Sequence, residues 1–350
     1  MMHLKAIFVS LIWILFFVLS CGKKLPPTSP DIWPPKVLNV NPIDRHHIVV
    51  YFSERVDTIT SQKLINFKIL NPERSETTGV IFSERKSKGD EVLLTIPELG
   101  NDKYTLFVYN IKDIKGNLMK NAEKSFKPSS EKDTIPPLLK YSRPSRMWIR
   151  APMDSIILLK FSEPMDSSSA DLDNFILTNV LIDSGFVWSK TLTQLRLGFH
   201  LKEATVGKVF ILPVLSDLSG NRLEEMRILT LTAMDSLPKN RMNINVGKEN
   251  ELRTKGYAFL RSRTKKLLEN ITVVDTACSF FFMPEDTYFV SVIAKDSVDT
   301  TGVWWGEKKI GFFPDTTGVL NEKISLDYIK KDKIDHFVLS TYDVLLGSIK

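Results

Sequence analysis

The 350-residue chain is predicted to be all-β, with two tandem β-sandwiches followed by a smaller C-terminal β-sandwich. Three observations predict this. Landmarks in the first two-thirds of the chain recur about one hundred residues later in the same order. Short runs alternate apolar and polar residues with period two, bounded by turn signals. Neither repeat sustains a helical period with caps at its ends.

The chain opens with a leader. Met1-Met2-His3-Leu4-Lys5 precedes an uncharged run from Ala6 to Leu19, then Ser20 and Cys21. A basic start, a short apolar stretch and a small residue at the cut is secretory-signal grammar, too short for a comfortable membrane span of about 20 residues. Val18-Leu19-Ser20-Cys21 resembles a bacterial lipobox. The resemblance implies that residues 1–20 are removed and that Cys21 carries a diacylglyceryl group, the new amino terminus usually being acylated as well. The membrane would then be a partner through this anchor. An uncleaved signal anchor, or an ordinary signal with a coincidental cysteine, is the competing reading. Each buried methylene contributes about 0.8 kcal/mol, so two or three acyl chains hold effectively for good.

Residues 21–30 read as a Pro-rich tether, Cys21-Gly22-Lys23-Lys24-Leu25-Pro26-Pro27-Thr28-Ser29-Pro30. Prolines favour extended geometry at about 3.1 Å per residue, giving a stiff stalk of roughly 25–30 Å. Lys23 and Lys24 lie where anionic headgroups attract them. Gly22, where an aspartate favours inner-membrane retention in well-studied Gram-negative lipoproteins, points to the outer membrane.

Charged residues make up 25% and hydrophobic ones 43%, a globular balance rather than a disordered one. With Cys21 lipidated, Cys278 stands alone among aromatics and reads as a buried small hydrophobe, so no disulfide framework is expected. The net charge of +6 is partly local. Arg253, Lys255, Arg261, Arg263, Lys265 and Lys266 cluster against Glu251. A solvated strand-and-turn face is the expected role. Anionic lipid or acidic glycan is the alternative, and nucleic acid is not expected as a partner of an exported chain.

The repeat defines the architecture. Asp31-Ile32-Trp33-Pro34-Pro35 recurs as Asp133-Thr134-Ile135-Pro136-Pro137, and Pro42 as Pro144. Phe52-Ser53-Glu54-Arg55-Val56-Asp57 recurs as Phe161-Ser162-Glu163-Pro164-Met165-Asp166. Asn66-Phe67 recurs as Asn174-Phe175, and Asp113-Ile114-Lys115-Gly116-Asn117 as Asp217-Leu218-Ser219-Gly220-Asn221. Ile48, Val50 and Phe52 fall on one face of a strand in the first copy, as Ile157, Leu159 and Phe161 do in the second. Further strands are expected at 91–96, 104–109, 195–199 and 209–214. This spacing suggests immunoglobulin-like sandwiches over 31–130 and 131–238. The ordered landmarks resemble the bacterial Ig-like domain of the S-layer (SbsA) type, with Arg55-Val56 departing from the usual Pro-Met. The paired carboxylates Glu54/Asp57 and Glu163/Asp166 then sit at strand-to-turn corners that the family uses for backbone hydrogen bonds, and Asp113 and Asp217 belong to turns.

Residues 241–350 lack these landmarks but still read as β, with runs at 257–260, 271–274, 280–282, 288–294 and 323–326. The stretch from Phe282 to Gly306 resembles the transthyretin-like or carboxypeptidase-regulatory class of small sandwich, although Glu285-Asp286, Thr301 and Trp305 depart from its pattern. Asp296 and Asp299 have the wrong spacing for a calcium loop, so no metal is expected there. Trp304 and Trp305 are the candidate ligand-binding residues, as a sugar platform, against core packing of at least one of them. The tail from Asp327 reads equally as a short amphipathic helix or a final strand.

No Gly-rich phosphate loop, His-x-x-x-His or Gly-x-Ser-x-Gly is present, and the five histidines are scattered. No enzyme, cofactor or catalytic residue is therefore expected. The expected protein is a lipid-anchored component of the bacterial envelope with a structural, adhesive or scaffolding role. Its Ig-like modules would be spacers presenting a distal module to an envelope protein or glycan. The rivals are an accessory or chaperone-like subunit that adds a strand to a client, and a polysaccharide-binding lipoprotein.

Overall fold

A computed structural model describes residues 30–171, 174–202, 206–247, 256–265, 268–283, 285–295, 301–314 and 316–346. The leader, Cys21 and all of the tether except Pro30 lie outside these, as do Asp296, Asp299 and, from the basic cluster, Arg253, Lys255 and Lys266 with Glu251. The described chain is all-β, as expected.

Copy one is a sandwich of two four-stranded antiparallel sheets. The first runs in the order β1 (Val37–Pro42), β2 (His47–Phe52), β6 (Glu91–Thr95), β5 (Phe82–Arg85). The second runs β4 (Glu76–Gly79), β3 (Phe67–Asn71), β7 (Tyr104–Lys112), β8 (Leu118–Phe126). Ile48, Val50 and Phe52 point inward as the alternation predicts, meeting Ile69, Leu106 and Val108 of the facing sheet in one core.

Copy two repeats the plan. One sheet is β13 (Val180–Trp188), β14 (Gln194–Leu201), β11 (Asp154–Phe161), β9 (Leu139–Arg143). The other is β10 (Met147–Ile149), β16 (Arg227–Thr232), β15 (Val206–Ile211), β12 (Phe175–Thr178), with β10 parallel to β16. Ile157, Leu159 and Phe161 are buried, and Phe161 packs its ring 5.8 Å from that of Trp188.

The third sandwich has a three-stranded sheet, β20 (Ala277–Phe281), β17 (Arg241–Gly247), β23 (Val319–Ser325), in which β17 and β23 are parallel. Its five-stranded sheet runs β19 (Leu268–Val274), β18 (Gly256–Arg261), β21 (Asp286–Lys295), β22 (Gly302–Phe312), β24 (Asp327–Lys330). The sheets approach so closely at Gly306 that a Cβ there would run into the Ser325 carbonyl oxygen. The tail, ambiguous in sequence, is a helix from His336 to Leu346.

The joins between the units differ. Between copies one and two the contacts are polar: the Arg45 amide donates to Glu131 O (3.0 Å), Arg45 Nε to Ser130 O (3.2 Å), and Lys140 Nζ lies 3.5 Å from Glu84. Copy two and the third sandwich instead share an apolar core. Phe210 and Leu212 of copy two, Tyr257, Phe259 and Ile293 of the five-stranded sheet, and Val338 and Tyr342 of the helix belong to one buried cluster. This explains why β15 and β18 are buried along their whole length rather than on alternate residues. Burial lowers the Lys208 pKa to about 8 at this join, against the opposing charge of Glu269. The Glu269 carboxyl is in turn raised by the same burial.

Two outcomes are expected. Phe161→Ala should cost about 3–5 kcal/mol, the usual loss for a buried aromatic, read from denaturant melts. Tyr342 is fully buried, and its hydroxyl finds no hydrogen-bond partner among the described residues. Tyr342→Phe should therefore leave stability unchanged or raise it, whereas Tyr342→Ala should lower it by about 3–5 kcal/mol. A loss of equal size in both variants would show that the hydroxyl, not the ring, holds the helix.

Candidate functional site

The repeated motif residues converge at one corner in each copy, and the two corners are built alike. Asp113 Oδ1 accepts from the amides of Lys115 and Asn117, both at 2.8 Å, while its Oδ2 accepts from Asn117 Nδ2 at 2.7 Å. Asp217 does the same with Ser219, Asn221 and Asn221 Nδ2, at 2.8, 2.9 and 2.8 Å. Gly116 and Gly220 complete each turn at positive φ. The carboxamide also reaches the entering chain: Asn117 Nδ2 donates to Asp31 O at 3.0 Å and Asn221 Nδ2 to Asp133 O at 3.1 Å.

The remaining landmarks act on the same corner. Ser53 Oγ accepts from the Lys36 amide (2.9 Å) and Ser162 Oγ from the Leu138 amide (2.8 Å), tying the residue after Pro-Pro to the Phe-Ser-Glu strand end. Asp57 and Asp166 cap the short helical turns that follow, accepting from the amides of Thr60 and Ser168. Asn66 and Asn174 donate to Thr60 O and Ser169 O at the ends of those turns.

The corners gather carboxylates. Asp31, Glu54 and Asp113 in copy one, and Asp133, Glu163 and Asp217 in copy two, bring one oxygen each within 4.8 Å of one another. That spacing alone would suit a hard cation. The oxygens of Asp113 and Asp217, however, are occupied by three protein donors each, and these hydrogen bonds account for the recurring residues without an ion. At Asp113 burial pushes the carboxyl up, but the Asn117 side chain and the turn amides outweigh it and hold the pKa below its ordinary value. At Glu163 burial, reinforced by the charges of Asp217 and Asp133, raises the pKa to about 7.

Copy two's corner meets copy one through His47. Its Nδ1 lies 2.9 Å from Asp44 Oδ2 and 3.8 Å from Asp133 Oδ2. Burial works against the imidazolium, but Asp44, then Asp133 and Glu163, outweigh it and raise its pKa. No sequence signal marks this cluster, because Asp44 and Asp133 are brought together only by the packing of the two copies.

The residues singled out in the sequence fall elsewhere. Trp304 and Trp305 are adjacent on β22, both half-buried and on opposite faces. Trp305 packs against the shared core, and the Trp304 ring meets Tyr328 edge-on at 5.4 Å. The basic cluster is not one solvated face. Arg263 is exposed, but Arg261 is 1% exposed, bound to Glu307 at 2.5 Å and Asp335 at 3.1 Å. Arg261 shares the outer sheet face with the shared core, and Asp335 sits beside the first turn of the covering helix, so its guanidinium is enclosed. Lys265 also pairs with Glu307 and lies 4.3 Å above the Phe289 ring. Burial raises the Cys278 thiol to about 12, so it carries no thiolate at neutral pH.

No family model and no curated protein matches this chain. Among solved structures it is similar to the N-terminal part of the bacterial S-layer protein SbsC. That match has 15% identity and a TM-score of 0.26, and covers 57% of this chain and 44% of that one. It is also similar to the MG0-NIE-MG1 part of Escherichia coli alpha-2-macroglobulin (12%, TM-score 0.24, 79% and 96% covered). The major pilin subunit BcpA of Bacillus cereus is a third (7%, TM-score 0.21, 75% and 94% covered). The chain thus spans less than half of the SbsC fragment. At these TM-scores the similarities carry no argument about function, which rests on this chain's own residues.

The junction makes a pH dependence. A carboxyl whose folded pKa is raised from 4.5 to about 7 contributes stability below about pH 4.5 that is lost as pH climbs through 7. The raised His47 acts in the same direction at higher pH. Glu163→Gln should therefore raise stability at about pH 8 by on the order of 1 kcal/mol, partial exposure screening the full effect, and change little at about pH 4. Thermal melts at the two pH values check this, and a gain at the acidic value instead would reverse the assignment.

Proposed function

We propose that this protein is a non-enzymatic, lipid-anchored structural protein of the bacterial envelope, with two sandwich spacers carrying a distal unit. The observation that carries the structural role is the duplicated corner. Every recurring polar side chain for which a bond is described above, Ser, Asp and Asn alike, is engaged in joining strands and turns in both copies, with equivalent partners at the Asp-x-x-Gly-Asn turn and the Ser fastening and a one-residue shift at the capped turn. Such residues stiffen a module and leave no reactive set. The anchor rests on the leader and on Cys21 at the end of Val18-Leu19-Ser20. Among the described residues no helix is long and apolar enough to cross a membrane.

A spacer fits the exposed strands better than a strand-adding chaperone does. The edge strand β8 presents Lys120, Glu123 and Lys124 to solvent, and charges on an edge discourage a further strand. The distal unit would meet its envelope protein or glycan partner through the third sandwich, where the half-buried Trp304 beside Tyr328 is the residue to test for sugar contact.

Cys21→Ser should abolish incorporation of labelled fatty acid and either leave the leader attached or release the chain into soluble fractions. A variant that remains in the membrane fraction with the processed mass of the wild type would overturn the lipid anchor.

A further inference from the structure

The duplication supplies an internal control for the surface of copy one. The entry end of copy two, which carries Asp133 and Glu163, abuts copy one through His47, Arg45 and the residues they bind. The equivalent corner of copy one, with Asp31 and Glu54, lies at the other end of β2 from His47, and the chain reaches it from Pro30. Residues that build the corner are the same at both ends. Those that surround it are not.

Three segments are laced together at the free end. Asn117 Nδ2 holds the entry segment through Asp31 O, while the Asp57 amide donates to Lys112 O (2.7 Å) and the Lys112 amide to Thr60 Oγ1 (3.1 Å). These bonds gather Ile32, Trp33, Ile59 and Ile114, which are 66%, 71%, 71% and 60% exposed. Around them stand Lys36, Arg55, Lys112 and Lys115, all exposed. At the corresponding places copy two has Thr134, Ile135, Ser168 and Leu218, and Leu138, Pro164, Ser216 and Ser219. Copy two thus keeps an exposed Ile135 and an exposed Leu138, with Leu218 half-buried, but lacks all four cations, the tryptophan and the three isoleucines. Four acids share this end with the cations: Asp113 is buried under its three hydrogen bonds, Asp57 caps its helical turn, Asp31 Oδ1 accepts from the Trp33 amide at 3.2 Å, and Glu54 is half-buried beside Asp31 and Asp113.

We propose that this free end of copy one is a membrane-surface docking site, its isoleucines and Trp33 entering the headgroup layer of an anionic phospholipid leaflet while Lys36, Arg55, Lys112 and Lys115 meet the phosphates. The inference rests on the lipid-anchored reading for the identity of the leaflet. Eight residues separate Cys21 from Pro30, a reach of at most roughly 30 Å, so the end that receives the tether is the one held near the acylated surface. Exposed tryptophan and isoleucine ringed by lysine is the composition that settles at a bilayer interface, where area and charge add. The protein would then stand on its first sandwich rather than hang from its stalk.

The test separates docking from lipidation. The unacylated chain 22–350, which retains every described residue, is sedimented with phosphatidylglycerol-containing vesicles and with pure phosphatidylcholine vesicles. Binding is expected to the anionic vesicles and to weaken with salt. Lys112→Ser and Lys115→Ser, the residues copy two holds at these places, should each lower the partition coefficient about fivefold. Lys120→Ser and Lys124→Ser on β8 should not change it, circular dichroism confirming the fold in each case. Trp33→Ala should lower binding without changing its salt dependence. In isolated membranes Lys36, Lys112 and Lys115 of the full chain should resist acetylation relative to Lys120 and Lys124, and the mass of the Cys21 peptide reports acylation. An acylated protein whose 22–350 chain ignores anionic vesicles, or whose Lys112 and Lys115 react as readily as Lys120, overturns the docking site while leaving the anchor intact. Binding by 22–350 that depends on Lys112 and Lys115 supports it even where Cys21 proves unmodified.

Discussion

One carboxamide in each copy, that of Asn117 and of Asn221, holds the architecture together. It binds its own turn through Asp113 or Asp217 and the incoming chain through Asp31 O or Asp133 O. The first and last parts of each sandwich are therefore joined at a single point. The Pro-Pro pair fixes the direction of the chain as it enters, and Ser53 or Ser162 fastens the next residue to the adjacent strand end. The rest of each module can vary around that point, and between the copies it has.

The two joins along the chain have different physics. Copy one meets copy two through arginine, histidine and carboxylates, interactions that respond to pH and salt. Copy two meets the third sandwich through Phe210, Phe259, Ile293 and Tyr342, which respond to neither in the same degree. Copy two and the third sandwich are thus tied by a third core between their own two, whereas the described contacts of the first join are polar ones.

Much of this was legible in the residues. The alternation of Ile48, Val50 and Phe52, and of Ile157, Leu159 and Phe161, places each inward without any knowledge of partners. The Asp-x-x-Gly-Asn turns follow from local chemistry. The shared core was harder to see because it depends on what covers an outer face. A trace of it remains in Val209-Phe210-Ile211-Leu212, apolar throughout where the equivalent Thr105-Leu106-Phe107-Val108 in copy one carries a threonine. Arg261 looked like part of a solvated basic face because its partners, Glu307 and Asp335, are far along the chain. The His47 cluster left no mark at all, since it exists only when two modules meet.

The covering helix is built from some of the last residues of the chain, and this sets an order of maturation. Copy one contains its whole core within residues 37–126 and can close as soon as those have been made. Copy two and the third sandwich cannot, because Val338, Tyr342 and Leu345 complete a core that Phe210 began. A chain made from its amino terminus therefore spends the end of its synthesis with a finished first module and an unfinished apolar surface behind it. Any product that stops short of the helix carries that surface permanently, which marks it for capture by chaperones or proteases.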